Sequence, residues 1–123
     1  MSRASDKEFQ PIFASAARTA TATATFNTGS CGGLFFINVT ATAATPSVVF
    51  TISGQDPVSG ASYTILTGAA ITSTGLTVLR VHPQLSAAAN TIAKDMLPAA
   101  VSVTATHADA DSITYSVSFL GVE

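Results

Sequence analysis

The residues best equipped for chemistry lie in the stretch THADADSITYSV, Thr106 to Val117, where His107, Asp109 and Asp111 occupy alternate positions. An imidazole and two carboxylates so spaced could bind a metal, carry acid–base chemistry or turn a chain. A loop calcium site needs roughly six oxygen ligands, and two carboxylates fall short without an acidic residue from elsewhere. A hydrolytic triad needs a nucleophile within reach of a base that a third group orients, whereas these three residues are neighbours along one connection. Asp at a turn accepts hydrogen bonds from backbone N–H groups just ahead of it, so Ala108-Asp-Ala-Asp111 reads as the turn of a hairpin between the last two strands. His82, followed by Pro83, has no nearby acid, and Asp56-Pro57 is a turn starter. Cys31 sits in Gly29-Ser-Cys-Gly-Gly33, which lacks the GxxxxGK[ST] spacing of a phosphate loop, and there is no CxxC or HxxxH pair for zinc. The sequence thus assigns no catalytic, cofactor-binding or metal-ligating residue, and an enzyme is not expected.

The elements around these residues are short and alternating. Arg18-Thr-Ala-Thr-Ala-Thr-Ala-Thr-Phe26 puts threonines on one face and alanines with Phe26 on the other, the period of a strand, and the β-branch of Thr favours that conformation. Further strands are expected at Leu34–Ala41, Ser47–Ser53, Ser62–Thr67, Leu76–His82, Ala100–His107 and Ser112–Phe119. The second of these carries Phe35, Ile37 and Val39 on one side. Gly54-Gln-Asp-Pro-Val-Ser-Gly60 is dense in turn formers and joins a hairpin. Residues 84–98 are too short and too weakly amphipathic for a packed helix and read as a crossover loop. About seven strands at roughly 10-residue spacing predict an all-β fold, a two-sheet antiparallel β-sandwich.

Residues 1–16 depart from that pattern. Charges at Arg3, Asp6, Lys7 and Glu8 precede Phe9, Ile12 and Phe13 around Pro11, which predicts an extended N-terminal arm attached to a sandwich domain over 17–123. Each of the three apolar side chains gains roughly 1.5 to 3 kcal/mol on full burial, so a neighbouring subunit is their expected resting place and they are the candidate partner-binding residues.

A length of 123 residues suits one domain. Charged residues are only 10% of it, against roughly 25% in ordinary soluble domains, and Ala, Thr and Ser replace them. Such a surface favours close packing with neighbours, as in an assembly subunit. Five Lys and Arg against seven Asp and Glu, scattered along the chain, offer no basic face, so nucleic acid is not an expected partner. The N-terminal segment lacks the apolar run of a secretory signal, and nothing approaches the ~18 apolar residues of a transmembrane helix, so synthesis in a cytoplasm without membrane association is expected. A single cysteine fits that compartment, and the Asn38-Val-Thr40 sequon then has no significance.

Several segments together resemble a family of small structural proteins of tailed bacteriophages: Thr45-Pro-Ser-Val-Val-Phe-Thr-Ile-Ser-Gly-Gln-Asp-Pro-Val-Ser-Gly60, Tyr63-Thr-Ile-Leu66, Val78-Leu-Arg-Val-His-Pro83, Ala89-Asn90, Leu97-Pro98 and His107-Ala-Asp-Ala-Asp-Ser-Ile-Thr-Tyr-Ser-Val117. The similarity runs from about Ala20 onward, in turns and strand residues, and leaves the N-terminal arm unmatched. It implies a virion component made in the host bacterium, above all a head decoration protein that reinforces the capsid. The implied partners are the major capsid protein or other virion subunits, with further copies of the chain on the particle. A tail or adhesion component with a carbohydrate-binding sandwich is the alternative, against which stand the absence of Trp and the placement of both tyrosines within strands.

Overall fold

Alternation of apolar with small or hydroxylated residues gives nearly every segment one face to bury, and two sheets facing each other bury them all. The computed structural model describes residues 8–122, which form nine strands and no helix. These are β1 (Glu8–Arg18), β2 (Ala22–Asn27), β3 (Gly32–Thr42), β4 (Val48–Gln55), β5 (Ser62–Thr67), β6 (Gly75–Val81), β7 (Ile92–Ala93), β8 (Ala100–His107) and β9 (Ile113–Val122). The first sheet has the order β1-β9-β3-β6-β7 and the second the order β2-β8-β4-β5. Among the described strands only the short β6–β7 pairing is parallel. The expected two-sheet sandwich is therefore present.

Inward positions of both sheets make one core. Phe35, Ile37 and Val39 of β3 and Tyr115, Val117 and Phe119 of β9 are buried together with Phe50 and Ile52 of β4 and Val101, Val103 and Ala105 of β8. Its rings fall into two groups. Phe119 lies 4.9 Å from Phe26 and 5.0 Å from Phe35, centroid to centroid, while Tyr115 meets Phe50 edge-on at 5.1 Å and Phe13 at 6.0 Å. Gly33 is required by the first group, since a Cβ there would stand 2.3 Å from the Phe119 ring.

The β4–β5 connection is the expected hairpin. Asp56 Oδ1 accepts the Val58 N–H at 2.9 Å, and Gly60, at φ 76°, closes the loop in a conformation that glycine adopts without a Cβ clash.

Three expectations need correcting. The N-terminal arm, from Glu8 on, is β1, an edge strand antiparallel to β9 of its own chain, with register shifts between Pro11 and Phe13 and between Phe13 and Ala16. Pro11 is compatible with this because an edge strand tolerates a missing N–H and the shifts absorb the irregular spacing that hid the strand's period. Residues 1–7 of that arm lie outside the described residues. Second, β8 and β9 do not form a hairpin: β8 belongs to one sheet and β9 to the other, so Ala108–Ser112 is an arch across the sandwich. A hairpin and an arch leave the same alternation in sequence, because both strands keep one buried face. Third, the crossover after β6 contains β7, which lies parallel to β6 through Arg80 N–H to Thr91 O at 2.9 Å and His82 N–H to Ala93 O at 3.1 Å.

Candidate docking surface

The chemistry-bearing side chains near the arch are engaged in holding it. A second inter-sheet connection, between β3 and β4, runs beside it, and the two are joined by Ala43 N–H to Ser112 O and Ala108 N–H to Ser47 O, both 2.9 Å. Asp111 Oδ2 accepts the backbone N–H of Thr45 at 3.1 Å and its hydroxyl at 3.3 Å, and Asp109 Oδ1 accepts the Asp111 N–H at 3.0 Å. The carboxylates therefore shape the connection, as the turn reading expects, although the turn is an arch. Ala44, at φ 59°, carries the bend of the neighbouring connection in the left-handed region that disfavours a Cβ.

His107 and Tyr115 tie the arch to the core. His107 Nε2 lies 3.2 Å from the Tyr115 hydroxyl, and the His107 N–H donates to Thr21 Oγ1 at 3.0 Å. The Arg18 guanidinium lies 5.1 Å from the Phe13 ring centroid and 5.2 Å from that of Tyr115, a cation–π geometry, while its Nε is buried without an acceptor. Burial of the imidazole, assisted by Arg18 and opposed by Asp109, holds the His107 pKa below its ordinary value. Burial of the phenol, opposed by Arg18, pushes Tyr115 up. His82 Nδ1 accepts the Gln84 N–H at 3.1 Å, and Cys31 is a half-buried free thiol. Among the described residues, no three His, Cys, Asp or Glu side chains gather in a way that could hold a metal ion.

The three expected partner-binding residues are separated by the irregularities of β1. Phe13 is 8% exposed, opposite Val117, and belongs to its own core, so it is not available to a neighbour. Ile12 is partly buried against that core. Phe9 alone remains outside, 68% exposed and paired with Leu120 of β9.

Phe9 proves to be one end of a larger surface, the outer face of the first sheet. Register places Phe9, Leu120, Leu34 and Arg80 in one row across β1, β9, β3 and β6. The next row is Pro11, Ser118, Phe36 and Val78, and the third is Ser116, Asn38 and Leu76. Leu76 is 61% exposed, and Leu34, Phe36, Val78 and Leu120 are half-buried on the side turned away from the second sheet, with no strand among the described residues paired over them. Arg80 is the one charged side chain of these rows. Past it opens a cleft of about 440 Å³ whose walls include Leu34, Arg80, His82, Leu85 and Val122.

The outer face of the second sheet is its chemical opposite. Thr23, Thr104, Thr51 and Thr67 form one rung across all four strands, and Thr25, Ser102, Ser53 and Thr64 form the next. The hydroxyls of Thr23 and Thr104 are 3.0 Å apart. An ordinary half-solvated sheet carries polar residues outside, as this one does, and the apolar outer face of the first sheet departs from that rule.

Sequence reasoning missed the apolar face because it gave each strand a single buried side. The signal was present in apolar residues adjacent in sequence, Leu34-Phe-Phe-Ile37, Val78-Leu79 and Phe119-Leu120, which cannot all point one way on a pleated strand. No protein family, curated protein or solved structure was found to match the chain.

Proposed function

We propose that this chain is a structural subunit of a tailed-bacteriophage virion, a head decoration protein bound to the capsid surface. The observation that carries the reading is the apolar outer face from Phe9 to Val78, a surface suited to burial against a neighbouring subunit of an assembly, another copy of this chain included, on a molecule whose other outer face is hydroxylated. A chain with 10% charged residues meets little repulsion when packed at high local density, as on a particle lattice. The resemblance of Thr45–Gly60 and His107–Val117 to phage structural proteins supplies the biological setting. The role is one of assembly: the sandwich is a rigid block, and the partners are the major capsid protein or other virion subunits together with further copies of this chain.

The test is composition and position. Purified particles should contain the chain in fixed stoichiometry to the major capsid protein, and imaging should place it as repeated density on the head. Absence from purified particles would refute the reading. Density on the tail alone would move the protein to the tail or adhesion role.

A further inference from the structure

We infer that the apolar outer face of the first sheet is the contact between two copies of this chain, related by a two-fold axis. The inference rests on the reading of that face as a covered surface and names what covers it.

Size is the first argument. β1, β9, β3 and β6 at about 4.8 Å spacing give a width near 19 Å, and β6, with 7 residues at about 3.3 Å each, limits the length that the four share to about 23 Å. The face is thus about 440 Å² in projection, below the ~800 Å² per partner of a standard interface and in the range of a smaller, reversible contact.

Self-complementarity is the second. An isologous contact brings a patch against itself, so the patch must tolerate its own charges. These rows contain no acidic side chain, and their one cation, Arg80, lies at an end row. A two-fold axis running along the middle row, Pro11, Ser118, Phe36 and Val78, places the first row of one copy over the third row of the other. Arg80 then stands across from Leu76 and beside Asn38 of the second copy, away from the other Arg80. Its aliphatic stem covers Leu76, and its guanidinium donates to the Asn38 side-chain carbonyl. Phe36 and Val78, on the axis, each meet their own counterpart. The result is two sandwiches stacked on their apolar faces, with the Thr/Ser faces outward on both sides.

The test uses the purified full chain, without particles, by light scattering after gel filtration and by sedimentation equilibrium. Wild-type protein is expected at twice the chain mass at micromolar concentration. Phe36→Glu and, separately, Val78→Lys should each give a monomer with an unchanged β-sheet spectrum and cooperative melting. Thr51→Glu, on the opposite face, should leave the dimer intact. Because Phe36 faces Phe36, mixing Phe36→Glu with Phe36→Lys chains should restore a dimer containing one of each. A wild-type monomer at 100-fold higher concentration, or a dimer untouched by both face variants yet broken by Thr51→Glu, overturns the inference. A dimer that never enters particles would sink the virion reading and leave this one standing, and a monomer that decorates heads would do the reverse.

Discussion

Phe13 and Phe9 sit four residues apart on one strand, and the structure gives them opposite fates. Phe13 is 8% exposed, packed edge-on against Tyr115 at 6.0 Å and capped by the Arg18 guanidinium at 5.1 Å. Truncating a buried Phe to Ala costs ~3–5 kcal/mol, and loss of the ring pair and of one cation–π partner falls within that range. Because β1 is an edge strand and can partly collapse into the gap, the lower part applies, about 3 kcal/mol. Phe9 is 68% exposed, so Phe9→Ala should cost at most ~1 kcal/mol. For a domain of this size each kcal/mol shifts the melting temperature by about 4 °C, so Phe13→Ala should melt about 12 °C below wild type. Thermal and urea unfolding of the isolated chain reads both values. Equal, small losses for the two variants would refute the placement of Phe13 in its own core and restore a free arm.

Other perturbations probe the arches and the His107 site. His107 has a folded-state pKa below its unfolded value, so the unfolded chain takes up the proton first; its contribution is full above about pH 6.5 and is lost as pH falls through the folded pKa. The melting temperature should therefore drop between about pH 7 and pH 5, and His107→Gln should flatten that slope in parallel scans. Asp111→Ala removes the acceptor of two Thr45 bonds on a largely solvated connection and should cost ~1 kcal/mol in urea unfolding, with no response to added calcium in either protein. Ala44→Gly relieves a Cβ at φ 59° and should raise stability by up to about 1 kcal/mol, read as a higher urea midpoint; a lower midpoint would mean that the bend is not strained.

The sandwich was legible because β4, β8 and β9 alternate cleanly, and Tyr115 and Phe50 were identifiable as core from that alternation alone. Partner strands were less legible. Nothing local distinguishes the arch at Ala108–Ser112 from a hairpin, since sheet membership is decided by the ladders of β8 with β2 and β4 and of β9 with β1 and β3, strands distant in sequence. β1 was hidden by its own irregularity: two register shifts erase the period, and Pro11 is a strand breaker everywhere except at an edge. The candidate surface was legible only at Phe9. Its other members lie on strands distant in sequence and become neighbours through the pairing of β9 with both β1 and β3.

That same pairing decides how the molecule bears load. β1 and β9 are antiparallel with Glu8 opposite Gly121, so both ends of the described chain leave from one corner. Tension applied between them acts across the ladder, opening rungs singly in place of shearing them together. Peeling begins beside solvent-exposed Phe9 and must pass the irregular stretch at Pro11 before it meets Phe13 and Arg18 clamped on Tyr115. A tether at that corner thus draws on a soft segment of about four residues backed by a hard stop, while the rest of the sandwich stays unloaded.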